Sequence, residues 1–246
     1  MSAHGTILVT GGSRGLGAAI CRRLAADGYA IAVNYARNAD GAQAVVRDIA
    51  AAGGAAQAIA GDVAEEADVL RMFDAAAAMP APLVGLVNNA GIIGGNSRLV
   101  DLDSAALQRT LAVNVTGTVL CAREAVRRMS TARGGKGGAI VNLSSVAARL
   151  GGPGELVHYA TSKGAIDSFT LGLAREVAEE GIRVNAVAPG LIETDMNPPA
   201  RLQRLVPGVP IRRVGQPDEV AEAVAWLISP AASYVVGTIL TVSGGR

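Results

Sequence analysis

Cysteine, aromatic residues and charge are all scarce in this chain. Its 246 residues include two cysteines, 3% are aromatic and 17% are charged, and the net charge is +1. Cys21 and Cys121 lie far apart and have no close Cys or His neighbours, which predicts two free buried thiols and no metal site. The charged residues form no long run of one sign, so the sequence indicates no nucleic-acid partner and no anionic membrane surface.

Long apolar runs are missing as well. No uninterrupted stretch reaches the roughly 20 residues that a membrane helix needs, and residues 1–10 lack the basic and then apolar pattern of a leader. We therefore expect a cytoplasmic protein without a membrane partner. A length of 246 residues, half of them hydrophobic, is typical of a single α/β domain, here residues 1–246.

Short apolar, β-branched runs alternate with longer Ala-rich stretches of helical periodicity. Seven strands are predicted, at residues 6–10, 30–34, 56–60, 85–88, 139–143, 183–188 and 238–242. Strands that alternate with helices favour right-handed crossovers and a parallel sheet covered on both faces. The sequence therefore predicts a doubly wound α/β sheet, in which ligands bind beyond the carboxyl ends of the strands.

A glycine-rich loop follows the first predicted strand and leads directly into a helix. Residues 10–17 read TGGSRGLG, and a helical run follows at 18–26. The glycines let the backbone turn tightly and approach a pyrophosphate, whose negative charge the free amides at a helix N-terminus favour. Its place between strand and helix indicates a phosphate-binding loop rather than an ordinary turn.

Four motifs resemble, in order and separation, those of the classical short-chain dehydrogenase/reductase family. They are Gly11-x-x-x-Gly15-x-Gly17, Asn88-Asn89-Ala90-Gly91, Tyr159-x-x-x-Lys163 and Pro189-Gly190. The likeness covers residues 6–245 and extends to 3-oxoacyl-carrier-protein reductases and glucose dehydrogenases. It implies a Rossmann-type sheet of about seven strands with helices on both faces, and an oxidoreductase that uses a nicotinamide dinucleotide.

The resemblance also assigns residues to the dinucleotide. Asp62 would accept a hydrogen bond from the adenine amine, with capping of a helix at 64–78 as the alternative, while Ile192 and Thr194 would hold the nicotinamide carboxamide. The full set that it implies is Gly11, Ser13, Arg14, Gly15, Leu16, Gly17, Tyr35, Arg37, Asp62, Val63, Asn89, Ala90, Gly91, Tyr159, Lys163, Pro189, Gly190, Ile192 and Thr194.

The residues after the second strand distinguish the two dinucleotides. An NAD enzyme usually places an acid there to bind the ribose 2′-hydroxyl, whereas a 2′-phosphate requires a cation. Residues 33–38 read VNYARN, with no acid before Asp40. Arg37 and Arg14 could hold the phosphate by charge-assisted hydrogen bonds. NADP(H) is therefore preferred, with NAD(H) as the alternative.

Tyr159 and Lys163 lie four residues apart in a helical segment, 157–179, so their side chains share one face. A free phenol titrates near 10, and a neighbouring ammonium, together with the oxidised nicotinamide, favours the phenolate. The pair therefore predicts general acid–base catalysis near neutral pH.

The resemblance adds two catalytic positions to this pair. Ser145 would stabilise the substrate oxygen through a hydrogen bond, and Asn114 would interrupt a helix and hold a water against Lys163. The stretch from Ser145 to Tyr159 is one residue longer than in many family members, which leaves Ser144 open as a substitute.

Three further features concern the substrate side and assembly. The Pro-rich segment at about 191–216 is interpreted as a substrate lid. His158 is interpreted as wall or surface, because adjacent helical residues point in different directions. Trp226, in a helix at 218–228, and the strand at 238–242 resemble the elements through which relatives form homotetramers; burial of Trp226 within the subunit is the alternative.

Together these features predict an NADP(H)-dependent oxidoreductase that reduces a small-molecule ketone or aldehyde to an alcohol, or catalyses the reverse. Tyr159 would move the proton. The alternatives are a non-catalytic NADP-binding sensor or scaffold and an NAD-dependent sugar or polyol dehydrogenase. A sugar-nucleotide epimerase shares the Tyr-Lys pair but needs a larger carboxyl-terminal substrate region.

Overall fold

The seven predicted strands form one sheet in a computed structural model that describes residues 4–246. Residues 1–3, part of the segment in which we expect no leader, lie outside the described residues. The strands are β1 (Thr6–Val9), β2 (Ala30–Tyr35), β3 (Ala56–Ala60), β4 (Leu83–Asn88), β5 (Gly138–Leu143), β6 (Ile182–Pro189) and β7 (Ile239–Val242). All pairs are parallel, in the order β3-β2-β1-β4-β5-β6-β7, which confirms the predicted sheet.

Helices connect successive strands and cover the sheet. They are α1 (Gly15–Ala26), α2 (Ala39–Ala51), α3 (Glu66–Ala77), α4 (Ser104–Leu111), α5 (Gly117–Met129), α6 (Ala147–Leu150), α7 (Val157–Glu176), α8 (Pro199–Leu205) and α9 (Pro217–Ile228). A π-helical turn at Ala112–Thr116 joins α4 to α5. Single 3₁₀ turns lie at Leu99–Asp101, Thr131–Arg133, Ala178–Glu180, Val206–Gly208 and Pro230–Ala232.

The strands are apolar on both faces because each face carries its own core. Ile7 and Val9 pack with residues of α1, α2 and α9 on one side of the sheet. Leu8, between them in sequence, packs with residues of α3, α5 and α7 on the other side. Alternate residues of a strand point to opposite faces, so burial of both faces requires a continuous apolar run.

The site follows from the strand order. β1 lies between β2 and β4, and the chain winds outward in opposite directions from this point. Loops that leave the carboxyl ends of the two central strands therefore diverge and open a crevice between them.

Two other expectations concern the whole chain. Cys21 and Cys121 are free and buried, as predicted, and burial raises the pKa of the Cys121 thiol to about 12. Within residues 4–246, no helix is long and apolar enough to cross a membrane. The described part of the chain also holds no cluster of His, Cys, Asp and Glu that could bind a metal ion.

Candidate active site

A cavity of about 890 Å³ opens beyond the carboxyl ends of the central strands. Every residue that the sequence assigns to the dinucleotide lines it, although these residues are spread between positions 11 and 194. Its volume is within the roughly 300–1,000 Å³ that ligand and cofactor sites occupy. The fold therefore brings all the predicted binding residues to one crevice.

The glycine loop is shaped to admit a ligand close to the backbone. Gly11 and Gly15 have φ of 64° and 51°, in the left-handed region that favours glycine. A Cβ on Gly17 would lie 2.2 Å from the Gly11 carbonyl oxygen. Arg14, which precedes α1, gives that helix no side-chain cap, so the first amides of α1 are left for an anion. A pyrophosphate fits this loop.

Asn89 and Thr10 hold the loop in place. The Asn89 side-chain amide donates to the carbonyl oxygens of Thr10 and Gly11, at 2.9 Å and 3.0 Å. The Thr10 hydroxyl in turn accepts from the backbone amides of Asn89 and Ala90, both at 3.0 Å. The turn after β4 thus fixes the loop after β1.

Two arginines lie where the loops after β1 and β2 border the crevice. Arg37, which follows β2, and Arg14 both line the cavity, as does Tyr35. Arg14 lies 3.7 Å from the Asp195 carboxylate, but both side chains remain about 70% exposed, so this ion pair is weak. Both cations are therefore accessible to an anionic ligand.

Asp62 contacts a residue that the sequence analysis missed. Its carboxylate accepts from the Ala64 amide at 3.0 Å and forms an ion pair with Arg109 of α4. Burial alone would raise the pKa of Asp62, but the Ala64 amide and the Arg109 charge outweigh it, and the pKa is lowered. The alternative of a cap on a helix at 64–78 is wrong, because α3 begins at Glu66 and Asp62 closes the turn before it.

Ser144 and Ser145 point to different neighbours. The Ser144 hydroxyl donates to the carboxylate of Asp167 on α7 and is buried. The Ser145 hydroxyl accepts from the Ala147 amide at 3.1 Å. Ser145 also lines, with Tyr159, a second cavity that adjoins the crevice, whereas Ser144 does not.

Lys163 lies beneath the Tyr159 ring, with its Nζ 5.7 Å from the ring centroid. The ammonium donates to the Leu143 carbonyl oxygen at 2.6 Å, at the end of β5. Burial lowers the pKa of Lys163 to about 8, although the Asp167 carboxylate opposes the shift. Lys163 is therefore a buried cation at neutral pH.

The pKa of Tyr159 is raised in the protein alone. Burial raises it, while the Ser145 hydroxyl and the Arg201 charge act in the opposite direction. The phenolate that the sequence analysis predicts also requires the positive charge of the oxidised nicotinamide. Burial has the largest effect because it penalises the charged form.

Asn114 lies in the π-helical turn between α4 and α5, and the predicted local interruption of a helix is present there. Its side-chain oxygen accepts from the Ile92 amide at 2.8 Å, and its nitrogen donates to the Ile92 carbonyl at 2.9 Å and to the Ser162 hydroxyl at 3.0 Å. These bonds tie the segment after β4 to α7. Asn114 Oδ1 and Lys163 Nζ both lie near Gly91, at 3.4 Å and 3.6 Å from the position that a Cβ would take there.

The segment after β6, from Ile192 to Gly215, leaves the sheet and returns beside its own start, next to the crevice. We call this segment the excursion. Ile192 pairs with Gly215, and the Gly215 amide donates to the Leu191 carbonyl at 2.9 Å. α8 lies within this excursion. His158 is buried, with its Nε2 2.8 Å from the Ile93 carbonyl oxygen, so the predicted surface location is wrong.

Comparisons with known proteins agree with this architecture. A family model described as enoyl-(acyl carrier protein) reductase matches residues 11–246. The uncharacterized oxidoreductase YgfF of Escherichia coli is 50% identical over 97% of this chain and 98% of its own. A 3-oxoacyl-[acyl-carrier-protein] reductase of Synechocystis is 38% identical over 97% of this chain and 95% of its own. A short chain dehydrogenase of Burkholderia cenocepacia, solved in complex with NADP, superposes with a TM-score of 0.93 at 40% identity, covering 99% of this chain and 98% of that one.

Proposed function

The chain belongs to the short-chain dehydrogenase/reductase family of oxidoreductases, and from this premise we propose that it reduces a ketone or aldehyde with NADP(H), or catalyses the reverse reaction. One observation carries the proposal. Tyr159 and Ser145 line both the crevice and the adjoining cavity, and the Lys163 ammonium lies beneath the phenol. A carbonyl compound in the adjoining cavity would thus meet a proton donor at the boundary with the dinucleotide.

The shape and charge of the crevice support the choice of dinucleotide. The glycine loop and the first amides of α1 would bind the pyrophosphate. Arg14 and Arg37 would bind a 2′-phosphate, and the position after β2 that an NAD enzyme fills with an acid has none. The Burkholderia relative crystallised with NADP is consistent with this choice. When bound, the dinucleotide supplies or accepts the hydride.

The chain's own residues would handle the proton and the substrate oxygen. In the reducing direction, Tyr159 donates its hydroxyl proton to the oxygen as the hydride reaches the carbon. The Ser145 hydroxyl donates a hydrogen bond to the same oxygen and orients it. The Lys163 ammonium, which donates a hydrogen bond to the Leu143 carbonyl oxygen, keeps a positive charge beneath the Tyr159 ring. This charge stabilises the phenolate that remains after Tyr159 has given up its proton.

Two further parts of the proposal concern the lid and assembly. The excursion between Ile192 and Gly215 would close over the substrate, since its two ends are hydrogen-bonded while its middle borders the adjoining cavity.

Trp226 of α9 is 42% exposed, and Tyr234 and Val236 nearby in sequence are exposed too. A homotetramer would cover these apolar side chains.

The test of the reaction is NADPH oxidation with a panel of diketones, quinones and aldehydes, compared with a Tyr159→Phe variant. Loss of a general acid typically costs about 10²–10⁴-fold in rate, so we expect turnover to fall by that factor while NADPH still binds. Equal turnover by the variant would contradict the proposal. NADPH binding without turnover of any substrate by the wild type would favour the sensor or scaffold instead.

The cofactor is tested by the dissociation constants of NADPH and NADH measured on the same preparation. We expect NADPH to bind more tightly, because only its 2′-phosphate can use Arg37 and Arg14. Tighter binding of NADH would overturn this part of the proposal and leave the acid–base chemistry in place.

A further inference from the structure

We propose that the substrate carries a carboxylate, and that Arg201 binds it beside the reacting carbonyl. The substrate class would then be an oxo acid, or a hydroxy acid in the reverse direction. The inference rests on the proposed function, because it identifies what occupies the cavity next to Tyr159. It is carried by four observations on that cavity.

The first observation is its position and size. The cavity has a volume of about 280 Å³ and is lined by Ser145 and Tyr159 on the side of the sheet. Residues of α8, including Arg201, line it on the side of the excursion. The volume is at the small end of ligand pockets. A small molecule whose carbonyl meets Tyr159 would therefore reach the wall that holds Arg201.

The second observation is the charge of the lining. Three arginines, Arg201, Arg204 and Arg246, border the cavity, against one acid, Glu155. Arg204 and Glu155 already form an ion pair. The same Glu155 carboxylate lies 3.8 Å from Arg201, so one acid faces three guanidinium groups and the side chains of the lining keep a net positive charge, which concentrates anions.

The third observation concerns Arg201 itself. Its side chain is only 16% exposed, and one of its guanidinium nitrogens donates to the Asn197 side-chain oxygen at 3.2 Å. Its Nε is buried and has no hydrogen-bond partner among residues 4–246. The Glu155 carboxylate lies 3.8 Å from that Nε, which is too far for a hydrogen bond. Nε has no accessible surface, so a ligand carboxylate would bind Nη2, which makes no hydrogen bond within residues 4–246 and, unlike Nε, is not fully buried.

The fourth observation links Arg201 to the reacting group. The Arg201 charge acts on the Tyr159 phenol and opposes the effect of burial on its pKa. Both groups line the same cavity. An anion bound at Arg201 would hold its carbonyl within reach of Tyr159.

The chemistry of the wall favours a carboxylate over a phosphate. A guanidinium presents a planar fork that fits the two oxygens of a carboxylate. Glu155 lies close to Arg201 and would repel a dianion more strongly than a monoanion. A singly charged, planar group is thus the better match.

The experiment compares oxo acids with their own methyl esters on the NADPH-loaded enzyme. The series is 2-oxobutanoate, acetoacetate, 4-oxopentanoate and 5-oxohexanoate, which places the ketone at increasing distance from the carboxylate. We expect at least one acid to exceed its ester in kcat/KM by about tenfold or more. We expect Arg201→Gln to reduce kcat/KM for that acid by about 10- to 100-fold, as for the loss of a charged hydrogen bond, and to leave its ester unaffected.

Two variants provide the controls. Arg201→Lys keeps the charge but loses the fork, so we expect it to retain part of the preference for the acid. Arg22→Gln removes a positive charge from the exposed face of α1, where Arg22 pairs with Asp48, and should change neither substrate. A role of Arg201 in tuning Tyr159 alone would instead slow acid and ester equally.

Esters reduced as fast as every acid would overturn the inference while leaving the proposed function intact. The same holds if Arg201→Gln slows acid and ester alike. A wild type that reduces no carbonyl compound at all counts against the proposed function. In that case, calorimetry measures the dissociation constants of the hydroxy acids and their esters on the NADP-loaded protein. We expect one hydroxy acid to bind more tightly than its ester, and Arg201→Gln to abolish this difference. If neither result is obtained, the inference fails.

Discussion

Lys163 is a charged side chain that is almost completely removed from water. Its pKa is about 8, against roughly 10.4 for an exposed lysine. Between these two values the unfolded chain holds a proton that the folded protein has released. The free energy of unfolding therefore rises with pH in this window. Below it both states are protonated, so Lys163 adds no pH dependence and the cost of burying its charge is constant.

This leads to a prediction for Lys163→Met. Each pH unit inside the window adds up to about 1.4 kcal/mol, so from about pH 7 to about pH 10 the wild type should gain about 2 kcal/mol relative to the variant. Urea unfolding of both proteins, at equal protein concentration and at each pH, measures the difference in the free energy of unfolding. Parallel pH dependence in the two proteins would show that the ammonium is hydrated rather than buried.

Asp167→Asn is the matched control for this titration. The Asp167 carboxylate raises the pKa of Lys163. In Asp167→Asn the pKa of Lys163 should therefore be lower, and the free energy of unfolding should begin to rise at a lower pH. The Ser144 hydroxyl also loses its charged acceptor, which changes the stability at every pH but not the position of the window.

At the scale of elements, the junction between β1 and α1 is the most constrained. α1 begins so close to the loop that a Cβ on Gly17 would lie 2.2 Å from the Gly11 carbonyl oxygen and 2.6 Å from the Asn89 amide nitrogen. Both atoms belong to the hydrogen-bonded contact between the loops after β1 and β4. A larger residue at this position must displace either the loop or the helix.

We therefore expect Gly17→Ala to weaken NADPH binding at least about tenfold, because the first amides of α1 move away from the pyrophosphate. Fluorescence titration with NADPH measures the effect. Gly164→Ala on α7 is the control, since nothing lies within 4 Å of the position that a Cβ would take there. It should keep NADPH binding and stabilise the protein by about 0.5–1 kcal/mol. Normal affinity in Gly17→Ala would mean that the loop adjusts.

The π-helical turn at Ala112–Thr116 is a second constrained element. It places Asn114 where its side chain bonds both to Ile92 and to Ser162 on α7. Single π turns inside helices are rare and frequently occur at functional sites. Here the turn connects the segment after β4 with the helix that carries Tyr159 and Lys163.

At the scale of the whole molecule, the described surface leaves large apolar side chains in contact with water near the end of the chain. Trp226 is 42% exposed although the opposite face of α9, with Val220 and Val224, is fully buried in the core. The alternative of complete burial of Trp226 within the subunit is therefore wrong. The other exposed residues of α9 are Asp218, Glu219 and Glu222, so Trp226 is a single large apolar side chain on a charged face, and a partner subunit would remove it from water.

We predict that Trp226→Glu shifts the proposed homotetramer towards smaller species. A central tryptophan contributes about 2 kcal/mol or more to an interface, which is roughly a 30-fold change in the dissociation constant. Sedimentation velocity measures the distribution. Glu222→Gln on the same helix is the control, because Glu222 pairs with Arg23 inside the subunit. A wild-type monomer would remove the assembly proposal.

Patterns among neighbouring residues were enough to predict the local parts of this protein. Alternation of apolar strands and helices, the glycine loop and the i, i+4 spacing of Tyr159 and Lys163 are local patterns, and each predicts its structure from a few consecutive residues. The predicted dinucleotide residues converge because parallel strands place their carboxyl ends at one edge of the sheet.

The partners of those residues could be identified only in the folded chain. The pairing of Asp62 with Arg109, the contact of Ser144 with Asp167 and the position of Arg201 beside the Tyr159 cavity join segments that are distant in sequence. The pKa values of Lys163 and Tyr159 likewise depend on how completely packing excludes water. Distances and burial between remote segments result from the packing of the whole chain, and no local pattern of residues encodes them.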